Sequence, residues 1–215
     1  MTADEWSVLE EVIEYETPWY DGGYDLLEQP DGTEKRYYWA DLPPSVVVVA
    51  CVDGRVLPDG SDAEPAATRD DASVDGTVHT DTDIDATDNH LLFVEQYRPP
   101  VHETHLELPA GIVEDGESYT EAATRELEEE TGFRPSSTVL LQEYAVATGV
   151  LRHDRGIVYA DGLVPGEREL DSNEFLDVTA VPVTEALDRA RERPANDATL
   201  TALLLAAEDG MLDLG

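Results

Sequence analysis

The segment that most constrains the fold of this chain is residues 111–133, GIVEDGESYTEAATRELEEETGF. Eight of its twenty-three residues are acidic. Ser118 and Glu121 have the spacing of a capping box, and Gly132 is typical of the position that follows a helix C-terminus. The pattern therefore predicts an amphipathic helix over about residues 119–131.

One face of this helix combines apolar residues with carboxylates. At 100° per residue, the apolar arc contains Tyr119, Ala122, Ala123 and Leu127. Glu126 and Glu130 fall in the middle of that arc and Glu129 lies at its edge, whereas Glu121 and Glu128 face the opposite side. Two like charges four residues apart on an inward face are costly unless protons or cations compensate them. Clustered oxygen ligands suit Mg²⁺ or Mn²⁺, so the face predicts a cation site, with a solvated charge run as the alternative.

The helix is acidic, but the rest of the chain is acidic too. The sequence has 49 Asp and Glu against 13 Lys and Arg, a formal net charge of −36, and Lys35 is its single lysine. Such a surface repels itself unless ions screen it. We interpret the charge as an adaptation to a salt-rich cytoplasm, with mimicry of nucleic acid as the alternative. Nucleic-acid binding through a basic patch is excluded.

Length and cysteine usage favour a soluble intracellular protein of one domain with small extensions. A chain of 215 residues can bury a full core. Its one cysteine, Cys51, lies in an apolar run and is expected in the core. The N-terminal sixteen residues lack the basic and apolar regions of a signal peptide, and we expect no membrane-spanning segment.

Two apolar runs predict central strands that flank an acidic insertion. Residues 45–52, SVVVVACV, should form a buried strand, and residues 91–98, LLFVEQYR, its partner. The segment between them, residues 53–90, has eleven carboxylates and no aromatic residue. It cannot bury enough apolar surface to offset its ordering entropy, so we expect a mobile or only partly ordered insertion. A dedicated Ca²⁺ loop is the weaker alternative, because the Gly and terminal Glu of an EF-hand are missing.

The rest of the chain predicts a mixed α/β layered domain. Residues 1–45 read as a β extension in which Asp31-Gly32 forms a hairpin turn. Further strands are expected within residues 137–148, 156–164 and 174–183. Two later helices are expected within residues 184–193 and 196–210, with Thr184, Asn196 and Asp197 as the candidate N-caps.

The spacing of the acidic segment resembles a known family. Gly111, Glu117 and the run Arg125 to Phe133, separated by five and by seven residues, match the Nudix box at every defined position. The segment therefore resembles the Nudix hydrolase family. EQYRPPVHETHLELPAG before the box and DSNEFLDVTAVPVTEAL after it are similar to the ADP-ribose pyrophosphatase branch. The similar stretches cover most of the chain outside residues 53–90. One departure is Ala147-Thr148-Gly149, where that branch often has a Ser-Pro-Gly-like turn.

The resemblance implies a fold and an activity. The fold class is mixed α/β: a Nudix-like α/β/α sandwich with a mixed β-sheet over residues 46–215, which contains the 53–90 insertion. Residues 1–45 would be an N-terminal antiparallel β extension that contacts the second subunit of a homodimer. The implied reaction is metal-dependent hydrolysis of the pyrophosphate bond of ADP-ribose, or of a related nucleoside diphosphate derivative, to AMP and ribose 5-phosphate. The implied cofactor is Mg²⁺ or Mn²⁺.

The resemblance also implies roles for the residues in and after the box. Glu126, Glu129 and Glu130 would be the catalytic metal ligands, joined by the backbone carbonyl of Ala110. Glu174, from a late loop, would be the catalytic base, with a solvated carboxylate as the alternative. In addition, Glu117 would orient the loop or a bound water, and Gly111 would permit tight backbone geometry.

The predicted substrate-binding residues are Arg98, Glu107 and Trp19. A guanidinium fork suits phosphates, although Arg98 could instead form a surface ion pair. Trp19 and Tyr20 could stack on an adenine, with a hairpin core or a dimer contact as the alternative. His153 could contact the substrate, with an ordinary surface residue as the alternative.

Two other functions stay open at this point. One is hydrolysis of a different nucleotide sugar or of a dinucleotide. The other is a Nudix-fold module that binds a nucleotide as a sensor without cleaving it. The intact set of glutamates favours hydrolysis, since a binding module does not need them.

Overall fold

The computed structural model describes residues 6–57, 78–80, 88–170 and 175–215. Within these ranges the strands are β1 (Ser7–Glu16), β2 (Asp21–Glu28), β3 (Glu34–Asp41), β4 (Ser45–Asp53), β5 (Val78–Thr80), β6 (Asn89–Arg98), β7 (Glu103–Glu107), β8 (Ala110–Ile112), β9 (Phe133–Arg134), β10 (Ser137–Ala145), β11 (Leu151–Arg152), β12 (Asp154–Asp161), β13 (Val164–Pro165) and β14 (Leu176–Pro182). The helices are α1 (Tyr119–Thr131), α2 (Val183–Arg191) and α3 (Asp197–Glu208), with a short 3₁₀ turn at Gly54–Val56.

The chain divides into two compact units, residues 1–45 with 143–155 and residues 46–142 with 156–215. In the first unit β1, β2 and β3 form an antiparallel meander, and β11 pairs in parallel with β3. The predicted hairpin turn is confirmed, because Gly32 donates its N–H to the carbonyl of Gln29 between β2 and β3. The φ of Gly32 is +80°, a conformation that favours glycine.

The second unit contains the mixed sheet that the sequence predicts. Its strand order is β10-β12-β4-β6-β14-β5, with β7 paired to β6 and β8 paired to β4. The two predicted central strands, β4 and β6, are antiparallel neighbours, in which Cys51 lies opposite Leu91. β14 runs antiparallel to β6 and parallel to β5, so the sheet is mixed.

Side chains on both faces of the central strands are buried. One face packs in a single core with α1, and its members include Val46, Val48, Ala50, Leu92, Val178, Ala122 and Leu127. The alternate residues of the same strands, such as Val47, Val49 and Phe93, are also buried. α2 contacts β6 and β14, and α3 contacts α2. A strand that is covered on both faces needs an unbroken apolar run, which explains the sequence of residues 45–52.

Two predictions about local structure need correction or completion. Thr184 is not a helix N-cap, because α2 begins at Val183 directly after β14 and places Thr184 inside the first turn; the N-cap is Pro182, without a side-chain cap. In contrast, Asn196 caps α3 as predicted, since its side chain accepts the N–H of Thr199. Most of the 53–90 insertion lies outside the described residues, but Val78–Thr80 within it forms β5.

None of the described helices combines the length and the apolar character that crossing a membrane would require.

Candidate active site

The acidic helix α1 has the predicted ends. It runs over Tyr119–Thr131, and the Ser118 side chain and the Glu121 side chain form a reciprocal capping box with each other's backbone N–H groups. Hydrogen bonding to Ser118 lowers the pKa of Glu121. Gly132 ends the helix with a φ of 73°, and its N–H donates to the carbonyl of Glu128. The caps fix the helix from both ends and so fix the positions of its glutamates.

Two glutamates of α1 point inward, as the helical periodicity predicts. Glu126 is 8% exposed and Glu130 is 3% exposed. The side chain of Glu129 is 40% exposed, in keeping with its predicted place at the edge of the apolar arc. Glu121 is exposed, on the opposite side. The inward pair is therefore confirmed as a structural feature that a solvated charge run would not produce.

Glu128 is more covered than the helix position predicts. Its side chain is 24% exposed, because Arg134 Nε donates to Glu128 Oε2 at 3.0 Å. Gly166 also lies against it, since a Cβ at Gly166 would be 2.8 Å from Glu128 Oε1. Both neighbours come from later in the chain, and the helical periodicity carries no information about them.

The guanidinium of Arg125 connects the carboxylates of the site. Its Nη1 donates to Glu126 Oε1 at 2.8 Å and to Glu129 Oε2 at 3.1 Å. Its Nε and Nη2 donate to the two oxygens of Glu117 at 3.1 and 3.0 Å, and Nη2 also donates to the carbonyl of Ile112 at 2.9 Å. Hydrogen bonds to Glu117 raise the pKa of Arg125, and the same bonds lower the pKa of Glu117. The predicted contact of Arg125 with Glu129 is confirmed, and it belongs to a larger network.

Glu117 also binds the loop that precedes α1. The N–H of Glu114 donates to Glu117 Oε2 at 3.1 Å. Together with the contact of Arg125 to Ile112, this bond ties the loop between β8 and α1 to the acidic face of the helix.

The segment Leu108–Ala110 is held by bonds from three elements. Leu108 N–H donates to Thr199 Oγ1 of α3 at 3.1 Å, and the carbonyl of Pro109 accepts the N–H of Val48 at 2.8 Å. Ala110 N–H donates to Glu130 Oε2 at 3.1 Å. The backbone of Ala110 is thus fixed beside the buried carboxylate of Glu130.

The tight geometry expected at Gly111 comes from packing and not from its φ. The residue does not adopt the left-handed conformation that requires glycine; the φ values of that kind are at other glycines. A Cβ at Gly111 would instead lie 2.0 Å from the carboxyl carbon of Glu126. Glycine is needed there because the Glu126 carboxylate fills the space that a side chain would occupy.

The donor set of α1 suits a hard divalent cation. Glu126, Glu129 and Glu130 supply only oxygen ligands, and Glu126 and Glu130 are buried. The guanidinium of Arg125 contacts Glu126 and Glu129. In the described parts of the chain, no three His, Cys, Asp or Glu side chains are already gathered so that they could hold a metal ion. Glu126 and Glu129 instead share the guanidinium of Arg125, which holds the two carboxylates side by side.

A cavity of roughly 630 Å³ runs along the outer side of α1. Its lining includes Arg125, Glu128, Glu129, Arg134 and Glu169 but not the buried Glu126 and Glu130. Of Glu126, Glu129 and Glu130, the groove is lined by Glu129 alone.

Two of the three predicted substrate-binding residues contact each other. Arg98 Nε donates to Glu107 Oε2 at 3.0 Å, and Arg98 Nη2 forms an ion pair with the same oxygen. The Arg98 side chain is 41% exposed and that of Glu107 is 11% exposed. The pair joins the end of β6 to the end of β7, three residues before Ala110.

Trp19 and His153 belong to the first unit, residues 1–45 with 143–155. There the N–H of Trp19 donates to Thr17 Oγ1, and its side chain is 64% exposed. His153 is more than a surface residue, because its Nδ1 lies 2.8 Å from the carbonyl of Pro43 and its Nε2 lies 3.1 Å from Ser45 Oγ. Glu174 lies outside the described residues.

One residue at the end of α1 had no signal in the sequence. Arg168 Nε donates to the carbonyl of Glu130 at 2.7 Å, and Arg168 Nη2 donates to the carbonyl of Leu176 at 2.8 Å. Arg168 lies thirty-eight residues after Glu130 in a segment without a motif. Only the tertiary structure shows this contact.

The fold and the acidic helix define the class of protein. The family model described as the NUDIX domain matches residues 81–203, more than half of the chain. This chain belongs to the NUDIX family. The predicted family and the predicted α/β sandwich fold are both confirmed.

Individual relatives agree with this assignment. The chain is 33% identical over 153 residues to a methanol dehydrogenase activator of Bacillus methanolicus, covering 70% of this chain and 80% of that protein. It is 34% identical over 110 residues to an ADP-ribose pyrophosphatase of Bacillus subtilis, covering 50% and 60% of the two chains. It is 30% identical over 126 residues to the ADP compounds hydrolase NudE of Escherichia coli, covering 58% and 68%. Relatives named as hydrolases and pyrophosphatases support the predicted enzyme class, a hydrolase.

A solved structure confirms the fold over nearly the whole chain. The crystal structure of an ADP compounds hydrolase matches with a TM-score of 0.73 over 96% of this chain and 95% of that chain, at 23% identity. At this identity the match carries information about the fold alone.

Proposed function

We propose that this chain hydrolyses the pyrophosphate bond of ADP-ribose or of a closely related ADP compound, with release of AMP. The observation that carries the proposal is the inward pair Glu126 and Glu130 on α1, 8% and 3% exposed, within a complete Nudix box. Relatives named as an ADP-ribose pyrophosphatase and an ADP compounds hydrolase support the choice of substrate.

The carboxylates of Glu126, Glu129 and Glu130, with the carbonyl of Ala110, are the proposed ligands for Mg²⁺ or Mn²⁺. A divalent cation bound there would supply charge stabilisation to phosphate oxygens and lower the pKa of bound water. Arg125 orients two of these carboxylates through its hydrogen bonds. The space left by the missing side chain of Gly111 lets Glu126 lie against the backbone.

The other proposed roles concern the substrate and the proton. Arg98 would bind the diphosphate with its guanidinium, while Glu107 holds the fork in one orientation. Glu174 would accept the proton of the attacking water on a carboxylate oxygen. Water adds to one phosphorus and the bridging P–O bond breaks, so ADP-ribose gives AMP and ribose 5-phosphate. Trp19 is proposed as a contact to the adenine.

Three broader properties belong to the same proposal. Residues 1–45 are proposed to contact a second subunit in a homodimer and residues 46–215 to form the catalytic domain, with residues 53–90 as an acidic insertion. The net charge of −36 supports a cytoplasm of high salt as the working environment. Nucleic acids and membranes are not proposed as partners.

The test is hydrolysis of ADP-ribose with Mg²⁺, with product identification, for wild type, Glu130→Gln and Glu128→Gln. Both variants remove one charge from α1, but only Glu130 is buried and bonded to Ala110. We expect Glu130→Gln to lower kcat by at least roughly 100-fold, since charge stabilisation by a metal contributes several kcal/mol, and Glu128→Gln to change it little. Assays at about 0.1 M and about 1 M KCl, where the Debye length falls from roughly 10 to 3 Å, test the salt requirement.

The outcomes separate the alternatives. AMP and ribose 5-phosphate from wild type, with loss in Glu130→Gln, support the proposal. Cleavage of a nucleotide sugar or a dinucleotide in place of ADP-ribose would change the substrate but keep the site. If wild type binds a nucleotide and cleaves none of these compounds, the sensor function replaces hydrolysis.

A further inference from the structure

The C-terminal end of α1 collects negative charge that its own last turn does not balance. Its last turn contains Glu128, Glu129 and Glu130, and α1, all of whose residues are described, has no basic residue in that turn. The C-terminus of a helix also carries a partial negative charge from its unpaired carbonyls. Three carboxylates at this end are therefore unfavourable unless other groups compensate them; Arg125 pairs with Glu129 from within the helix, and Arg134 pairs with Glu128.

The segment from Gly166 to Glu169 supplies the missing donors. Gly166 N–H donates to the carbonyl of Gly132 at 2.7 Å, and Glu169 N–H donates to the carbonyl of Glu129 at 3.2 Å. Between them, Arg168 Nε donates to the carbonyl of Glu130 at 2.7 Å. The segment thus satisfies the carbonyls of Glu129, Glu130 and Gly132 at the end of α1, and Arg168 brings a positive charge to the turn that contains the glutamates.

The guanidinium of Arg168 also connects α1 to β14. Its Nη2 donates to the carbonyl of Leu176, the first residue of β14, at 2.8 Å. One side chain therefore joins the last turn of α1 to the beginning of a central strand. The side chain is only partly exposed, and its Cβ lies 3.3 Å from the place where a Cβ at Gly132 would be. Packing thus limits the directions in which the fork can point.

We propose that Arg168 is a positioning residue for the carboxylates of α1, a role that rests on the proposed function. It acts through the backbone of Glu130, whose carbonyl accepts its Nε–H. By holding that backbone against β14, it fixes the direction in which Glu130 leaves the helix toward Ala110. Metal ligands have to be held within about 0.5 Å of their working geometry. If the last turn of α1 loses its bond to Arg168, the cation affinity should therefore fall even though the carboxylates are intact.

The test measures Mn²⁺ binding without substrate, by electron paramagnetic resonance of free Mn²⁺, for wild type, Arg168→Met and Arg168→Lys. Loss of a residue that orients metal ligands typically costs about 10- to 100-fold in affinity, and we expect a loss in this range for Arg168→Met. Arg168→Lys keeps the charge but not the planar fork, so it should restore the affinity only in part. The kcat for ADP-ribose should fall in parallel with Mn²⁺ affinity, while KM at saturating Mn²⁺ changes less than threefold.

The matched control is Arg134→Met, which removes an arginine from the same end of α1. Arg134 pairs with Glu128, and its side chain is 63% exposed. Exposed ion pairs contribute little, so this variant should keep the Mn²⁺ affinity of wild type. If Arg168→Met fails to fold, Arg168→Gln is measured and judged by the same criteria.

Several results would overturn the inference. If Arg168→Met binds Mn²⁺ as tightly as wild type and only its melting temperature is lower, Arg168 has a structural role and does not position the carboxylates. Full recovery in Arg168→Lys would show that charge alone is needed and would exclude positioning by the fork. If wild type itself binds no Mn²⁺, the proposed function fails, and the role of Arg168 fails with it.

Discussion

The carboxyl group of Glu126 occupies the space that a side chain at Gly111 would need, since the Cβ of any such side chain would lie only 2.0 Å from the carboxyl carbon. The relationship joins the short strand β8 to α1 across fifteen residues of sequence. Gly111 therefore has a packing role: its backbone conformation does not require glycine, but its lack of a side chain leaves room for the Glu126 carboxylate.

Gly111→Ala should therefore damage the site. The added methyl group has to displace Glu126 from its contact with Arg125, so we expect at least a roughly tenfold lower kcat/KM and a free energy of unfolding reduced by about 1–3 kcal/mol. Hydrolysis kinetics and urea unfolding measure the two effects. Gly149→Ala is the control, because nothing lies within 4 Å of a Cβ there. Equal behaviour of the two variants would contradict the packing role of Gly111.

Thr199→Val should destabilise the protein through a buried donor. Thr199 is 1% exposed, and its Oγ1 accepts the N–H of Leu108 at 3.1 Å. Valine has a similar shape but leaves that N–H without its acceptor, which costs about 1–3 kcal/mol of the free energy of unfolding. Urea unfolding measures the change. Thr201→Val makes the same exchange at a partly exposed position of α3 and should have a smaller effect; a larger effect at Thr201 would refute the explanation.

The Glu117 carboxylate should contribute stability that depends on pH. Hydrogen bonds from Arg125 lower the pKa of Glu117 in the folded state relative to the unfolded state. The contribution is therefore fully present above the ordinary glutamate pKa of about 4.3 and is lost as the pH falls through the lower folded pKa.

Urea unfolding of wild type and Glu117→Gln, measured between neutral and acidic pH in the presence of a chelator, tests this dependence. Wild type should be the more stable protein near neutral pH, and the difference in free energy of unfolding should shrink toward low pH. A difference that stays constant or grows on acidification would rule out the ionised Glu117 carboxylate as its source.

Strand β1 should determine the oligomeric state if residues 1–45 contact a second subunit. β1 is the terminal strand of its sheet, and the apolar residues Val8, Leu9, Ile13 and Tyr15 on it are 47–65% exposed. An edge strand of this kind pairs readily with another chain. In sedimentation velocity at high KCl, wild type should be a dimer, and Ile13→Asp should have a larger fraction of monomer.

The control for that experiment is Val150→Asp. Val150 is 52% exposed and belongs to the same unit, but it lies outside β1. It should leave the dimer intact. A wild-type protein that sediments as a monomer would refute the homodimer directly, and dissociation by both variants would indicate a general effect of added charge.

The sequence by itself determined the elements whose signals are local. The ends of α1 follow from a capping box and a glycine, which act within a few residues. The burial of Glu126 and Glu130 follows from the helical period of about 3.6 residues, and the position of β4 from an unbroken apolar run. The family assignment likewise follows from the spacing of Gly111, Glu117 and the run Arg125 to Phe133 within one contiguous segment.

Only the tertiary structure decided the contacts between residues of different helices, strands and loops. The covering of Glu128 by Arg134, the pairing of Arg98 with Glu107, the bond from Leu108 to Thr199 and the attachment of Arg168 to Glu130 leave no periodic pattern. The same holds for Thr184, which failed as an N-cap because β14 continues directly into α2. The residues of a helix show which of its sides faces inward. The donor that bonds to the last carbonyls of the helix comes from a distant segment, and its position depends on the packing of the whole unit.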